Sequence, residues 1–161
     1  MADPDRLCAL LGEEAALCSA LAEVLREQQQ AIIALEPTTL LACLERREAL
    51  AHAVLAAGQL RAEALRALCL AHGVDADRPE HVLPRLPVPG RMRLRSALGR
   101  LREALTTVRS LERQTAQLVE GSLAHVRELV RTLAGLVPSA RYGADAELAA
   151  PASAEWLDRR A

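Results

Sequence analysis

Apolar residues recur every three or four positions through the first part of the chain. Glu14 and Gln28 occupy two positions of the same series, whose apolar members are Leu7, Leu11, Cys18, Leu21, Leu25, Ile32 and Leu35. This spacing is the heptad pattern of helices that pack lengthwise, with two polar interruptions. Asp3 suits an N-cap and Pro4 suits the first helical position. The pattern therefore predicts a first helix over about residues 3–36.

A second helix is predicted over about residues 39–72. Pro37 disfavours helical geometry at Glu36, so a turn separates the two helices. Gly73 suits the left-handed residue that often follows a helix end. The predicted buried stripe of this helix consists of Leu40, Leu44, Ala51, Val54, Leu55, Leu65 and Leu68.

Prolines mark residues 73–90 as a connector. The stretch contains Pro79, Pro84, Pro87 and Pro89, which disfavour a regular helix. The stretch is longer than most helix–helix loops. We expect it to lie extended across the helices, with contacts through Val82, Leu83, Leu86 and Val88.

The third predicted helix, over about residues 91–136, is the longest. Three–four spacing continues along it through Leu94, Leu98, Leu101, Leu105, Val108, Thr115, Val119, Ser122, Val126, Leu129, Leu133 and Leu136. At 1.5 Å per residue it spans roughly 70 Å, against roughly 50 Å for each of the other two. We therefore expect one end of this helix to extend past its partners and to leave apolar residues uncovered, as binding surfaces often do.

Taken together, these patterns predict an all-α fold. We expect an elongated antiparallel bundle of three long helices with a Pro-rich connector and a flexible C-terminal tail. The bundle is predicted to be a single domain over residues 1–137. The tail is predicted over residues 138–161, because Pro138 closes the third helix and little periodicity follows it.

Aromatic residues change this picture in one respect. The chain has no Phe, one Tyr and one Trp, and these two rings, Tyr142 and Trp156, both fall in the predicted tail. A bundle packed through Leu and Ala needs no rings, whereas large flat side chains are favoured at interfaces. The scarcity of aromatic and β-branched residues also disfavours strands.

Charge is sorted by helix although the net charge is only −1. Residues 1–36 carry seven acids and two Arg, and residues 91–137 carry nine Arg and four acids. Opposite charge beside apolar stripes predicts that the first and third helices are neighbours. A cluster at Arg91, Arg93, Arg95, Arg100 and Arg102 leaves phosphate binding as an alternative. No aromatic residue interleaves that cluster, so we expect no nucleic-acid partner.

Several classes of protein are disfavoured by what the sequence lacks. No apolar run approaches the roughly 20 residues of a membrane span, and the N-terminus has no leader layout. We therefore expect a cytoplasmic protein without membrane insertion. The cysteines, Cys8, Cys18, Cys43 and Cys69, form no C-x-x-C pair and are expected to be small buried apolar residues in a reducing compartment.

No catalytic constellation is found, so we expect no enzyme, no catalytic residue, no cofactor and no metal site. Histidine phosphotransfer on a helical bundle is the one enzymatic alternative. Such domains resemble a helix whose His is followed three and four positions later by Lys and Gly. His52 is followed there by Leu55 and Ala56, and His125 by Glu128 and Leu129. Neither position fits.

Three stretches together resemble the FlgN-type flagellar export chaperones. The first runs from Leu10-Leu11-Gly12-Glu13-Glu14 to Leu25-Arg26-Glu27, and the second is Leu44-Glu45-Arg46-Arg47-Glu48-Ala49-Leu50. The third is Leu118-Val119-Glu120-Gly121-Ser122-Leu123 with the later Arg141-Tyr142-Gly143. The Tyr-Gly pair after a long helix is the most specific element. Glu112 and Thr115 stand where the family often has Asn.

The resemblance implies a cytoplasmic helical chaperone of the flagellar type III secretion system. Such proteins bind C-terminal segments of hook–filament junction (hook-associated) proteins, prevent premature assembly and deliver them to the export gate. The implied partners are therefore hook-associated proteins and flagellar export gate or ATPase components. The alternatives are another helical secretion chaperone or a self-assembling coiled-coil adaptor, with self-association as an open possibility.

An amphipathic helix from a substrate would fit the uncovered end of the third helix. The partner-binding residues expected there are Leu123, Val126, Leu129, Val130, Leu133 and Leu136. Tyr142, with Gly143, is expected to anchor either the substrate or the export gate.

Overall fold

A computed structural model describes residues 4–136, which form helices joined by short turns and contain no strand. The prediction of an all-α fold is confirmed. Helix α1 spans Pro4–Ala34, α2 spans Pro37–Ala71, a 3-10 helix spans Pro79–Arg85, and α3 spans Val88–Leu136. The chain divides into two compact units, the first ending at Leu118 and the second beginning at Val119. The predicted tail, residues 138–161, lies outside the described residues, and the single domain over 1–137 stays a prediction.

The turn between α1 and α2 uses a leucine where a glycine is usual. Leu35 has a φ of 56°, in the left-handed region. The amide of Glu36 donates to the carbonyl of Ala31 at 3.0 Å, which closes the end of α1. Helix α2 then begins at Pro37, two residues earlier than predicted. Proline suits this position because a first-turn amide has no partner within the helix.

The connector contains more helix than the sequence predicted. Pro79 opens the 3-10 helix, and α3 begins at Val88 with Pro89 in its first turn. The prediction of a non-helical stretch was wrong at Pro79 and Pro89, because proline in a first turn removes no helical hydrogen bond. Pro84 lies inside the 3-10 helix. Val82 and Leu86 are buried, as expected, whereas Val88 is exposed.

The predicted stripe of α1 is confirmed along most of its length. Its apolar members from Leu7 to Leu25 are buried, and the two polar members, Glu14 and Gln28, are each only 4% exposed. The stripe ends with the helix, because Leu35 follows the last helical residue and is 85% exposed.

The predicted stripe of α2 was partly wrong. Leu44, Ala51 and Leu55 are exposed. Val54, Leu65 and Leu68 are buried or half-buried, as predicted. The other buried or half-buried members of this side were not predicted: Cys43, Arg47, Leu50, Ala57, Arg61 and Ala64. Leu and Ala surround this helix, so their spacing did not single out one face.

Within the first unit, α3 contributes residues to the same core as α1. The buried residues are Leu94, Ala97, Leu101, Val108, Leu111 and Thr115. The sequence missed Ala97 and Leu111 and placed Leu98 in the stripe, although Leu98 is exposed. The main cluster joins the apolar members of this α3 set to Leu7, Leu11, Cys18, Leu21 and Leu25 of α1 and to Leu68 and Cys69 of α2.

Within the first unit, polar contacts between helices show the direction in which α2 runs relative to α1. Between α1 and α2, Arg61 pairs with Glu14 at 2.5 Å and Arg46 pairs with Glu27 at 2.6 Å. As the position on α1 rises, the partner position on α2 falls. The three-helix antiparallel bundle as a whole stays a prediction, which this order supports for α1 and α2.

Helices α1 and α3 are neighbours, as their opposite charges predicted. Arg93 pairs with Asp5 at 3.1 Å. Further along, Gln29 Nε2 donates to Thr115 Oγ1 at 3.1 Å and to the carbonyl of Leu111 at 3.2 Å. As the position on α1 rises from Asp5 to Gln29, the position of its partner on α3 also rises, from Arg93 to Thr115.

Candidate functional site

The second unit presents large aliphatic side chains to solvent. Every residue from Val119 to Ala134 is exposed. We call the exposed apolar residues of this stretch the terminal apolar face: Val119 (37% exposed), Leu123 (48%), Val126 (53%), Leu129 (49%), Val130 (59%) and Leu133 (61%). These are large fractions for Leu and Val, which are among the residues most often buried in folded proteins.

The spacing of these residues places them on one side of α3. From Val119 the steps to Leu123, Val126, Val130 and Leu133 are four, three, four and three. At 3.6 residues per turn this series stays on one side of the helix, and Leu129 flanks it. The terminal apolar face is therefore a continuous stripe.

The opposite side of the same stretch is charged. It carries Glu128 and Arg131, and Arg131 Nη1 lies 2.5 Å from Glu128 Oε2. Glu120 and Arg127 each follow a member of the stripe, Val119 and Val126, by one position and lie along its edge. Charges of both signs border the stripe. This stretch is thus an amphipathic helix whose apolar side is open to water, an arrangement that favours a helical partner.

The chemistry of this surface is burial of aliphatic area. Covering a fully exposed Leu or Val contributes about 1.5–3 kcal/mol, so a half-exposed one contributes roughly half of that. Among residues 4–136, no group of His, Cys, Asp and Glu is arranged to hold a metal ion. The terminal apolar face is suited to binding.

Five of the predicted partner-binding residues lie together on this face: Leu123, Val126, Leu129, Val130 and Leu133. Leu136 is the last residue of α3, and its side chain lies outside the described part of the structure. Tyr142 and Gly143 also lie outside the described residues. Val119, which the sequence placed in the helix stripe, belongs to the face as well.

The first unit contains concave regions away from the terminal apolar face. A groove of about 520 Å³ between α1 and α3 is lined by Gly12, Ala15, Ala16, Ser19, Ala22, Glu23, Arg26, Arg100, Glu103, Ala104 and Thr107. The sequence did not predict this groove, because the spacing of alanines does not show whether a helix or solvent lies beside them. A smaller apolar cavity of about 170 Å³ lies beneath the 3-10 helix, next to Val82, Leu94 and Leu98.

The cysteines are thiols in the helical core. Cys18, Cys43 and Cys69 are buried and Cys8 is half-buried. Burial raises the pKa of the Cys18 thiol, and the nearby Glu14 carboxylate raises it further. Burial also raises the pKa of Cys69, with smaller contributions from Asp75 and Glu80. A raised pKa keeps a thiol protonated and unreactive, which fits the expected packing role.

No helix in the described residues combines the length and the apolar character that a membrane crossing requires. The two histidines considered for phosphotransfer, His52 and His125, are both exposed on helices. Each is followed by the residues named above in place of Lys and Gly.

Comparison with known proteins adds one finding to this geometry. The family model described as FlgN protein matches residues 1–150 of the chain. The matched range includes α1, α2, α3 and the Tyr142-Gly143 pair. Comparison with curated proteins gives no match, and comparison with solved structures gives none either.

Proposed function

The chain belongs to the FlgN family, and from this membership we propose that it is a cytoplasmic export chaperone of the flagellar type III secretion system. The observation that carries the proposal is the terminal apolar face, a stripe of aliphatic side chains left open on an amphipathic helix. A surface of this kind suits a protein that binds another chain and performs no chemistry on it.

The proposed substrates are the C-terminal helical segments of hook–filament junction proteins. An amphipathic helix recognises a partner through anchors at positions i, i+3, i+4 and i+7. Val126, Leu129, Val130 and Leu133 supply that spacing on the chaperone. With its apolar side covered in this way, a substrate segment is held back from premature assembly.

The strength of this binding is expected to be moderate. Six half-exposed aliphatic residues contribute about 1 kcal/mol each when covered, and association offsets part of the total through lost motional freedom. A complex of moderate strength releases its cargo readily. That property suits delivery to an export gate.

We assign the charged borders of the face a part in setting the register of the bound segment. Glu120 and Arg127 lie along one edge of the apolar stripe, and Glu128 and Arg131 lie farther round the helix. Complementary charges beside an apolar contact select orientation more than they add affinity.

Tyr142, with Gly143, is proposed as an anchor for either the substrate or the export gate and its ATPase components. The support is the resemblance of the Tyr-Gly pair to the family pattern, within the range that the family model matches. Tyrosine is also enriched at binding hot spots.

The binding test compares two double variants of the full chain. We expect Leu129→Ala plus Leu133→Ala to raise the Kd for a junction-protein C-terminal segment about tenfold or more, because two aliphatic anchors are lost. The matched control is Leu60→Ala plus Leu98→Ala, which removes the same atoms from exposed leucines elsewhere. Isothermal titration calorimetry gives both values, and equal affinities in the two variants would remove the terminal apolar face from the binding site.

The same titrations test Tyr142. We expect Tyr142→Ala to weaken binding of either the substrate segment or the soluble export-gate domain. If both affinities match those of the wild type, the proposed anchor is wrong.

A further inference from the structure

Helix α2 carries a second apolar stripe on the side that faces solvent. We call it the outer α2 stripe and define it as Leu41, Leu44, Glu48, Ala51, Leu55, Ala62, Arg66 and Leu70. Its leucines are exposed by 62% at Leu41, 41% at Leu44, 63% at Leu55 and 74% at Leu70. The steps between neighbours are three or four residues, apart from one of seven between Leu55 and Ala62, and they keep the stripe on one side of the helix.

Few surface helices are apolar on two sides. The inner side of α2 is already used, since Cys43, Ala57 and Leu68 are buried there. A helix in a globular protein normally sets polar residues opposite its core side, and one that is apolar all round is covered on both sides. The outer α2 stripe therefore indicates a second contact.

The charges of this stripe are arranged symmetrically. Glu48 lies nine residues before Ala57 and Arg66 lies nine residues after it. Leu44 and Leu70 lie thirteen residues before and after the same point. Within the described residues, neither Glu48 nor Arg66 forms an ion pair, whereas Arg46, Arg47 and Arg61 of the same helix each do.

We propose that the outer α2 stripe is covered by the same stripe of a second copy of this chain. The two α2 helices would run antiparallel about a two-fold axis level with Ala57. Glu48 of each copy then faces Arg66 of the other, and Leu44 faces Leu70, so every contact occurs twice. Leu55, two residues from the axis, lies at the centre of the interface.

This symmetry favours a second copy over an unrelated partner. A contact between two copies related by a two-fold axis must be self-complementary, and opposite charges at equal distances from the axis meet that condition. A partner of different sequence places no such condition on this chain.

The size of the contact predicts a reversible dimer. The stripe from Leu41 to Leu70 is roughly 45 Å long, and a helix is about 10–12 Å wide. A strip of these dimensions lies at the small end of specific protein interfaces. We therefore expect a dimer Kd in the micromolar range. Because every contact occurs twice, one substitution that changes a charge should have a large effect on this Kd.

Sedimentation equilibrium of the full chain, from about 1 µM to about 1 mM, tests the proposal. We expect the wild type to approach twice the monomer mass of 17.4 kDa. Glu48→Arg changes two opposite-charge pairs to two like-charge pairs, so the dimer Kd should rise about tenfold or more. Arg66→Glu should act in the same way, and combining both changes in one chain should restore the Kd to within about threefold of the wild type.

The matched control is Glu13→Arg, the same charge change at an exposed residue of α1, which should leave the dimer Kd unchanged. Far-ultraviolet circular dichroism verifies that each variant keeps its helix content. A wild type that stays monomeric up to about 1 mM, or a combined variant as weak as the single ones, would overturn the proposal.

Leu55→Glu separates this inference from the chaperone role. We expect it to abolish the dimer and to leave binding of a junction-protein segment within about twofold of the wild type. If it instead weakens segment binding without changing the mass, the outer α2 stripe belongs to the substrate and no second copy covers it. The mass measurement uses the chain alone, so it is independent of whether the chaperone proposal holds.

Discussion

Glu14 shows how a charged residue is accommodated in an apolar stripe. It lies between Leu11 and Cys18 on α1, and its side chain is 5% exposed. Arg61 Nε lies 2.5 Å from one carboxylate oxygen, and Arg61 Nη2 lies 3.5 Å from the other. A buried carboxylate without such a partner is costly, whereas the intact pair contributes little net stability. The pair instead fixes which turn of α2 lies beside this turn of α1.

We expect Arg61→Met to lower the free energy of unfolding by about 2–3 kcal/mol, because Glu14 keeps its charge without a partner. The expected loss of stability is not larger because the Arg61 side chain is 31% exposed, which leaves the site partly hydrated. Replacing both residues, as Glu14→Leu with Arg61→Met, should recover most of the loss. Urea unfolding followed by circular dichroism measures all three values.

Arg66→Met serves as the control for this series, since Arg66 is exposed and forms no ion pair within residues 4–136. We expect it to change stability by less than about 0.5 kcal/mol in the monomer. A double variant as unstable as Arg61→Met alone would contradict the proposed role of the pair.

The buried thiols predict a loss of stability in alkaline solution. Burial, and then Glu14, raise the pKa of Cys18 in the folded chain above the ordinary thiol value of 9.0. The unfolded chain therefore releases this proton first. The stabilising contribution is complete below about pH 9 and is lost as the pH rises above that value.

We expect the free energy of unfolding to fall more steeply above about pH 9 in the wild type than in Cys18→Ala. The comparison uses the slope with pH, because the alanine variant also loses packing at every pH. Equal slopes would show that Cys18 does not titrate differently in the folded and unfolded chains. The control is Cys43→Ala, which also removes a buried thiol.

At the scale of single helices, α1 ends with an unfavourable residue. A left-handed φ costs a non-glycine residue roughly 1–2 kcal/mol, and Leu35 also places a large apolar side chain in water. Leu35→Gly should therefore stabilise the chain by about 0.5–1 kcal/mol. Ala42→Gly, within α2, should destabilise it by about 1 kcal/mol.

Thermal unfolding of these two glycine variants measures their melting temperatures, which we expect to shift in opposite directions. A lower melting temperature in Leu35→Gly would mean that the leucine side chain makes a contact that outweighs its backbone cost.

The helices differ in how well the sequence predicted them. Along α1 the large apolar residues fall on one side, so spacing alone found the core and both buried polar residues, Glu14 and Gln28. Along α2 the burial of Arg47 and Arg61 was unpredictable from spacing, because each depends on an acid from another helix. The helical starts at Pro37 and Val88 differ from the predicted ones because a proline can either end a helix or occupy its first turn, and spacing does not distinguish the two.

At the scale of the molecule, the sequence predicted which helices are neighbours better than it predicted which side chains are exposed. Opposite charge on α1 and α3 correctly placed these helices side by side, and Arg93 with Asp5 is one of the contacts. Exposure along Val119 to Leu133 agreed with the expectation of an uncovered stretch, which rested on helix lengths. The outer α2 stripe was instead assigned in part to the core, since Leu44 and Leu55 have the same spacing whether a helix or water lies beside them.

The aromatic-free helices have a spectroscopic consequence. Neither Tyr142 nor Trp156 lies among residues 4–136, so these helices contain no aromatic ring whose surroundings would change when they unfold. Intrinsic fluorescence therefore reports on the segment after α3, whereas circular dichroism reports on the helices. Both signals can be followed in one titration with a substrate segment that lacks aromatic rings. Together they distinguish a change at residues 137–161 from a change in the helices. The chain thus carries its own site-specific fluorophores, and no labelling is required.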